Sequence, residues 1–379
     1  MFLVLIPVIV PYFISLKLSM MEIFQLQAIL GITVAIFEVP SGYLADLWGR
    51  KKTICLGAFF SGTGFSILYF LNSFNQLVIY EILLGVAVSL VSGADISILY
   101  ESLKYKNDER SERTKAIANV QLSKTVSEST ASVLGGLLVT ISFQMVIIVK
   151  AITGWFPFFI ALTLKEPPYK KMDKNNHFKN LKFVISHVFF SDRLLILIFI
   201  NLVLWGLATF IMVWIFQKYW LEENIPIAYF GFIWAGYNLS VGIVGKQVHY
   251  LEKKIGPIPL IVAVGLLPIA GYFGTAFLSG WMGIIFGFCF QISRGINQVI
   301  LKDALNWRVP EMFRATANSL TSLFFRLGFF LVGPVVGYSI DKVGISTSLV
   351  YLGLVFLLLF IIFMLPLIKH VREIPTIVK

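Results

Sequence analysis

Eight ionisable residues interrupt stretches that are otherwise apolar: Glu38, Glu81, Asp95, Lys124, Glu128, Lys150, Arg294 and Arg326. At the centre of a membrane helix such a group costs about 2.5–3.5 kcal/mol on insertion scales, so each asks for a partner or a water-filled cavity. A carboxylate held that way can bind and release a proton, and an arginine can hold an anion. Asp95 in the fourth apolar run and Arg294 in the tenth lie at nearly the same depth. Opposite in sign, they could form a purely structural pair. Glu81, toward the other end of the fourth run, reads as a protonatable carboxylate or as a solvated residue near the membrane surface. Glu128 and Arg326 occupy near-equivalent positions in the fifth and eleventh runs. Lys124 lies one helical turn before Glu128, so a local ion pair competes with a cavity role. Lys150 in the sixth run reads as a snorkelling cation. Glu38 stands just before Pro40-Ser41-Gly42.

The densest charge cluster is Gly42-Tyr-Leu-Ala-Asp46-Leu-Trp-Gly49-Arg50-Lys51-Lys52, set between two strongly apolar runs. A plain anchor at a membrane face explains its cations. It does not explain Asp46 with both glycines.

Composition says what must hold these residues. Of 379 residues, 58% are hydrophobic and 13% charged. Soluble domains carry about 45–50% apolar and about 25% charged residues. The charge here is too sparse to cover a water-facing surface, so the chain is expected to be an all-α integral membrane protein: lipid leaves no backbone group unpaired. Apolar runs at 1–16, 22–44, 53–71, 76–101, 116–142, 144–164, 192–217, 226–249, 257–278, 281–304, 314–339 and 346–368 predict twelve transmembrane helices. The first is short of the roughly 20 residues a span needs, so either helix 1 is short or the chain start truncates it. It lacks the basic leader and cleavage site of a signal peptide.

Most Lys and Arg fall in the even joints and the C-terminal tail, and Lys17, Lys218 and Lys342 fall on the other side. The bias predicts cytoplasmic termini. It also explains the net charge of +11 without nucleic acid. The two cysteines and four histidines form no metal-ligand spacing, so no metal or cofactor is expected. No phosphate-binding G-x-x-x-x-G-K-[ST] and no G-x-S-x-G nucleophile elbow occurs, which argues against direct ATP use and against a hydrolase.

The longest joint, 165–191, is polar, basic and opens on Lys165-Glu-Pro-Pro. It divides the chain into an N-terminal six-helix bundle, 1–164, and a C-terminal one, 192–379. The halves echo each other. Gly93-Ala-Asp-Ile-Ser-Ile-Leu-Tyr-Glu101-Ser-Leu103 aligns with Gly295-Ile-Asn-Gln-Val-Ile-Leu-Lys-Asp303-Ala-Leu305. Lys115-Ala-Ile-Ala-Asn119 then aligns with Arg314-Ala-Thr-Ala-Asn318. Internal repeats of this kind are a transporter signature.

With these features the chain resembles the major facilitator superfamily. The Gly42–Lys52 cluster is similar to that family's G-x-x-x-D-x-x-G-R-K motif, at Gly42, Asp46, Gly49, Arg50 and Lys51. The resemblance implies two pseudo-symmetric bundles and a cytoplasmic latch stabilising the outward-facing state. In that latch Gly42 allows close helix approach, Gly49 a tight turn, and Asp46 sits at a helix N-terminus in the other half. Arg50 and Lys51 pair with acids such as Glu101, and Glu38 supports the gate. The equivalent loop, Gly245 to Gly256, lacks the aspartate. The resemblance also implies that helices 1, 4, 7 and 10 line a cavity, which puts Asp95 and Arg294 there as candidates for substrate contact or an ion pair between the halves, beside the purely structural reading. Glu81 precedes Gly85 at the spacing where exporting relatives carry an arginine, so the charge is reversed. The helix 5 proline of antiporters is missing from Ser129–Gly136. Trp155, Trp205, Trp214, Trp220, Trp234, Tyr237 and Trp281 read mostly as belt or lipid-facing residues, with Trp205 and Trp214 the two that would reach a cavity. The expected protein is a monomeric secondary transporter in a bacterial inner membrane. It moves a small organic molecule by proton-coupled efflux, with import of a nutrient, siderophore or metabolite as the alternative.

Overall fold

A computed structural model describes residues 2–92, 94, 95, 98, 99, 110–166, 192–310 and 313–373, with backbone alone at 39, 46, 110–118, 121 and 315. Regular structure among them is helical throughout. A 3-10 turn leads into α1, Ile9–Ser15, followed by α2, Met20–Trp48, α3, Arg50–Ile67, and α4, Phe74–Ser92. Next come α5, Arg110–Leu138, and α6, Phe143–Thr163. Past the long joint are α7, Arg193–Glu222, α8, Phe230–Ile255, α9, Pro257–Phe277, and α10, Gly280–Arg308. The last are α11, Arg314–Val343, and α12, Ile345–Leu359, which runs through a π turn, Phe360–Met364, into α13, Leu365–Glu373.

Ten of these helical stretches are long and apolar enough to cross a membrane. Ile6–Ser15 is a shorter apolar helix. The 29-residue α5 is long enough, but its first half is polar and charged.

Local chemistry sets the helix starts. Ser19 and Glu22 form a reciprocal capping box before α2, which satisfies two backbone donors at once. Ser142 and Asp192 accept from the backbone N–H groups of Met145 and Leu194 to cap α6 and α7. Three helix pairs are joined through one glycine with positive φ: Gly49 (98°), Gly256 (81°) and Gly344 (82°). A side chain would strain each of these turns.

The chain divides into two compact units. The first comprises Met1–Asp173, Pro226–Ala235 and Phe330–Gly337. In it α2 packs on α4, and α3 packs on α4 and α6. Two short segments from later helices join this unit through very close backbone approach. A Cβ on Gly231 would collide with the Ser132 carbonyl and with Gly136, and one on Gly337 would lie 2.6 Å from the Met20 carbonyl oxygen. Small residues permit such crossings in lipid.

The second unit comprises Lys174–Ile225, Gly236–Phe329 and Tyr338–Lys379. Here α9 packs on α10 and α12, and α10 packs on α7. Its core is aromatic. Trp220 lies parallel to Phe216 at 6.0 Å. Tyr272 stacks on Phe356 and donates to the Ala208 carbonyl. Tyr237 donates to the Ile284 carbonyl. Trp205 is fully buried, donates to Asn201 Oδ1 at 2.9 Å, and lies against Phe356. Trp205, Trp220 and Tyr237 are therefore core residues, not belt residues. Each contributes a large apolar ring, and Trp205 and Tyr237 bury a satisfied N–H or O–H with it.

Candidate functional site

The Gly42–Lys52 cluster is helical on both sides of one break. The helix expected to end near residue 44 runs on to Trp48, Gly49 turns the chain, and α3 begins at Arg50. Asp46 belongs to the last turn of α2; its side-chain surroundings and all of Glu101 lie outside the described residues. At Gly42 no described atom lies within 4 Å of where a Cβ would be. The tight position is Gly49. A Cβ there would lie 2.6 and 2.7 Å from the carboxylate oxygens of Glu166.

Glu166 is a residue that sequence reasoning missed. Its Oε1 accepts the Arg50 backbone N–H at 2.5 Å. The first turn of a helix has backbone donors without intrahelical partners and a partial positive charge, so a carboxylate is stabilising there. Thr53 closes the same turn by donating from Oγ1 to the Gly49 carbonyl at 2.9 Å. The acid at this end of α3 thus comes from just beyond α6. Lys51 is half-buried beside Arg50.

Glu81 lies deep in the first unit. It is 1% exposed, on the face of α4 that packs against α2. Gln27 of α2, also buried, donates from Nε2 to Glu81 Oε1 at 2.9 Å. Oε2 is buried with no hydrogen-bond partner among the described residues. One turn along α4, Gly85 fits against Thr33 and the Leu30 carbonyl of α2, so the glycine brings the two helices together next to the pair. This geometry excludes the solvated reading of Glu81. A carboxyl group so placed can carry a proton on Oε2 while Oε1 keeps the amide bond.

Lys150 also differs from its expectation. It is 3% exposed instead of snorkelling. Its Nζ donates to the Phe2 carbonyl at 2.9 Å and sits 4.0 Å from the centre of the Phe65 ring. Backbone oxygen and aromatic face together replace the water the ammonium has lost.

The remaining candidates are dispersed. Glu38 is half-buried in α2, two residues before Pro40, and its carbonyl accepts the Ser41 hydroxyl at 3.0 Å. Asp95 is exposed and lies beyond the regular end of α4 at Ser92. Glu128 is half-buried in α5, and its carbonyl accepts the Ser132 hydroxyl at 2.7 Å. In the second unit Arg294 is half-buried on α10, flanked by buried Ser293 and Gly295. Arg326 on α11 donates from Nε to Ser322 Oγ at 3.2 Å. Among the described residues, no group of three or more His, Cys, Asp or Glu converges in a way that could hold a metal.

An apolar chain of long helices, glycine-jointed pairs and a motif break sealed by an acid is the setting in which the sequence comparisons fall. Residues 1–308 match the sequence profile of the Major Facilitator Superfamily. The chain belongs to that superfamily. An uncharacterized MFS-type transporter of Bacillus subtilis (strain 168), YxaM, is 25% identical over 368 residues, covering 94% of this chain and 90% of the relative. A mutant of the nucleoside transporter NupG superposes with a TM-score of 0.82 at 15% identity, covering 96% of each chain. A bacterial homolog of the human lysosomal transporter Spinster, inward-facing and unoccupied, superposes at 0.75 with 15% identity, covering 97% of this chain and 93% of that one. At that identity the two structures establish the fold alone. As a Major Facilitator Superfamily protein this chain is a multi-pass membrane transporter of a small molecule and not an enzyme.

Proposed function

We propose that the protein is a proton-coupled secondary transporter that exports a small organic molecule across a bacterial inner membrane by alternating access. The observation that carries the coupling is the buried Glu81–Gln27 pair. An ionisable group inside a membrane helix is retained against its cost when it has a task, and an oxygen buried without a partner is where a transported proton would reside. Glu81 binds the proton and Gln27 positions it. The further candidates for substrate or proton contact are Asp95 and Glu128 on the first unit and Arg294 and Arg326 on the second. Twelve spans, counting α1 and α5, cytoplasmic termini and a monomer complete the reading. The bacterial relative supports the location.

The latch reading comprises Gly42, Asp46, Gly49, Arg50 and Lys51, with Glu38 supporting the gate near Pro40 and Glu101 as a further acid. Glu166 joins it, because it holds the start of α3 at the motif break. A second reading is import of a nucleoside-like metabolite, favoured by the likeness to NupG.

The test compares wild type, Asp46→Asn and Glu81→Gln at equal membrane abundance in an efflux-deficient bacterial host, with cells and medium profiled by mass spectrometry. Export predicts a compound depleted from wild-type cells alone, and import predicts one accumulated by them alone. That compound is then followed into vesicles with an imposed pH gradient. Glu81→Gln should lower gradient-driven flux at least about tenfold while sparing substrate exchange. Wild-type gradient-driven flux in Glu81→Gln would remove Glu81 from the coupling route.

A further inference from the structure

The second unit contains a cavity of about 560 Å³ lined by none of the residues assigned above to the latch or to substrate and proton contact. Arg193 at the start of α7 lines it, with Ile361 and Leu365 from the π turn and its exit, and Lys369, His370 and Glu373 from α13. The helices around it are pinned together. Asn201 of α7, fully buried, donates from Nδ2 to the Leu197 carbonyl at 2.8 Å and to the Phe363 carbonyl at 2.9 Å. A π turn takes carbonyls out of the regular ladder, and Asn201 satisfies one of them. From that anchor α7 runs back eight residues to Arg193, while α13 runs on eight residues to Val371. Each path rises about 12 Å. Arg193, Lys369 and His370 therefore reach one level. Ile361 and Leu365, 53% and 45% exposed, lie deeper along the same wall.

The lining is thus layered, with cations at the membrane face and an exposed apolar strip toward the interior. His370 directs Nδ1 to the Pro366 carbonyl at 3.3 Å, which leaves its other ring nitrogen for a ligand. Glu373 adds one acid to the charged layer. We propose that this cavity binds an anionic phospholipid. Its phosphate lies against Arg193 and Lys369, a headgroup hydroxyl reaches Glu373, and an acyl chain follows Ile361 and Leu365. Guanidinium groups hold phosphate oxygens through paired N–H donors, and basic pockets between membrane helices suit lipid headgroups. The apolar strip favours a lipid over a free anion, which would use the cations and leave the strip bare. Glu373 disfavours a dianion and suits the single charge of a phosphodiester. The proposal rests on the membrane-spanning reading of α7, α12 and α13 and is independent of substrate, direction and proton coupling.

The experiment is native mass spectrometry of the purified protein titrated with dioleoyl phosphatidylglycerol, dioleoyl phosphatidylcholine or inorganic phosphate. Wild type should retain phosphatidylglycerol over phosphatidylcholine. Arg193→Gln with Lys369→Gln should lower phosphatidylglycerol retention at least about fivefold. Lys253→Gln with Lys254→Gln, two cations removed from the last turn of α8 instead, should leave it unchanged. Arg193→Lys with intact Lys369 should restore most of it. Size-exclusion elution verifies folding, and Lys369→Gln alone, an exposed position, serves if the double variant aggregates. Equal retention of both lipids by wild type, unchanged retention in the cavity variants, or an equal loss in the Lys253/Lys254 variant overturns the proposal. Displacement of the bound lipid by millimolar phosphate reassigns the cavity to a free anion and overturns it too.

Discussion

Two carboxylates carry most of the chemistry at the residue scale, and they were not equally visible. Glu81 stands out in sequence because it is an acid in an oily run. Its partner does not: Gln27 is a neutral amide among several polar residues of the second run, and nothing in its type says that it faces α4. Truncating Gln27 to Leu would leave both Glu81 oxygens buried without a donor. A loss of about 1–3 kcal/mol is expected, read as lower thermal stability in detergent, with Glu81→Gln less affected because its amide oxygen still accepts. Equal melting of Gln27→Leu and wild type would mean that the hydrogen bond contributes nothing. Glu166 was hidden for a different reason. Its contact with Arg50 spans 116 residues of sequence, and a lone acid before a proline pair looks like any polar joint. Glu166→Ala should destabilise the start of α3 by about 1 kcal/mol, up to about 2 in this partly buried setting. Hydrogen exchange should quicken at the Arg50–Thr53 amides. Protection there at the wild-type level would dismiss the anchor.

Elements were legible where periodicity or composition decided them, and less so where contact did. All apolar runs from the second onward contain helix, and the expected Gly49 turn is present with φ of 98°. The degraded second copy of the motif still ends on a positive-φ glycine, Gly256, although its aspartate is gone. The turn thus survives without the acid. The α2 helix outran its expected end because Leu44, Ala45 and Leu47 are strong helix formers, so the true stop is Gly49, the glycine that must bend. Buried tryptophans misled more. Trp205 and Trp220 have the residue type of a membrane belt, yet packing against α10, α12 and their neighbours puts them inside. The repeat at 314–318 now has a structural task. Arg314 donates to the Asn306 carbonyl and Asn318 to the Asn306 side chain, both at 2.8 Å, which fastens α11 to the end of α10. The Gly136–Gly231 crossing yields a prediction of its own. Gly231→Leu cannot fit against the Ser132 carbonyl, so α5 and the start of α8 must part. Transport should fall at least about tenfold, and a cysteine placed at Ala228 should label faster with a maleimide. Wild-type flux and labelling would make the close approach incidental.

Orientation is a property of the whole molecule, and the charge pattern predicts it more sharply than any single helix does. Lys and Arg are retained on the cytoplasmic side during insertion. That rule predicts exposed Lys52, Lys254 and Lys369 on the basic face, and Lys17, Lys342 and half-exposed Lys218, paired with Glu222 at 3.2 Å, on the sparse one. The chain's two cysteines, Cys55 and Cys289, are both free, so replacing them by serine gives a background in which one introduced thiol reports one location. Cysteines at 17, 218 and 342 should react with a membrane-impermeant maleimide in intact cells. Those at 52, 254 and 369 should react only after permeabilisation. The full reverse would put the Gly49–Glu166 turn outside and end its reading as a cytoplasmic latch. A mixed pattern is equally informative, because the count depends on the two elements with the weakest apolar signal. The short helix of Ile6–Ser15 must cross for a tag at residue 1 and a thiol at residue 17 to face opposite sides. If both are accessible from outside, α1 does not span, and Lys150, bound to the Phe2 carbonyl, is held by a segment folded against the bundle instead of passing through the bilayer.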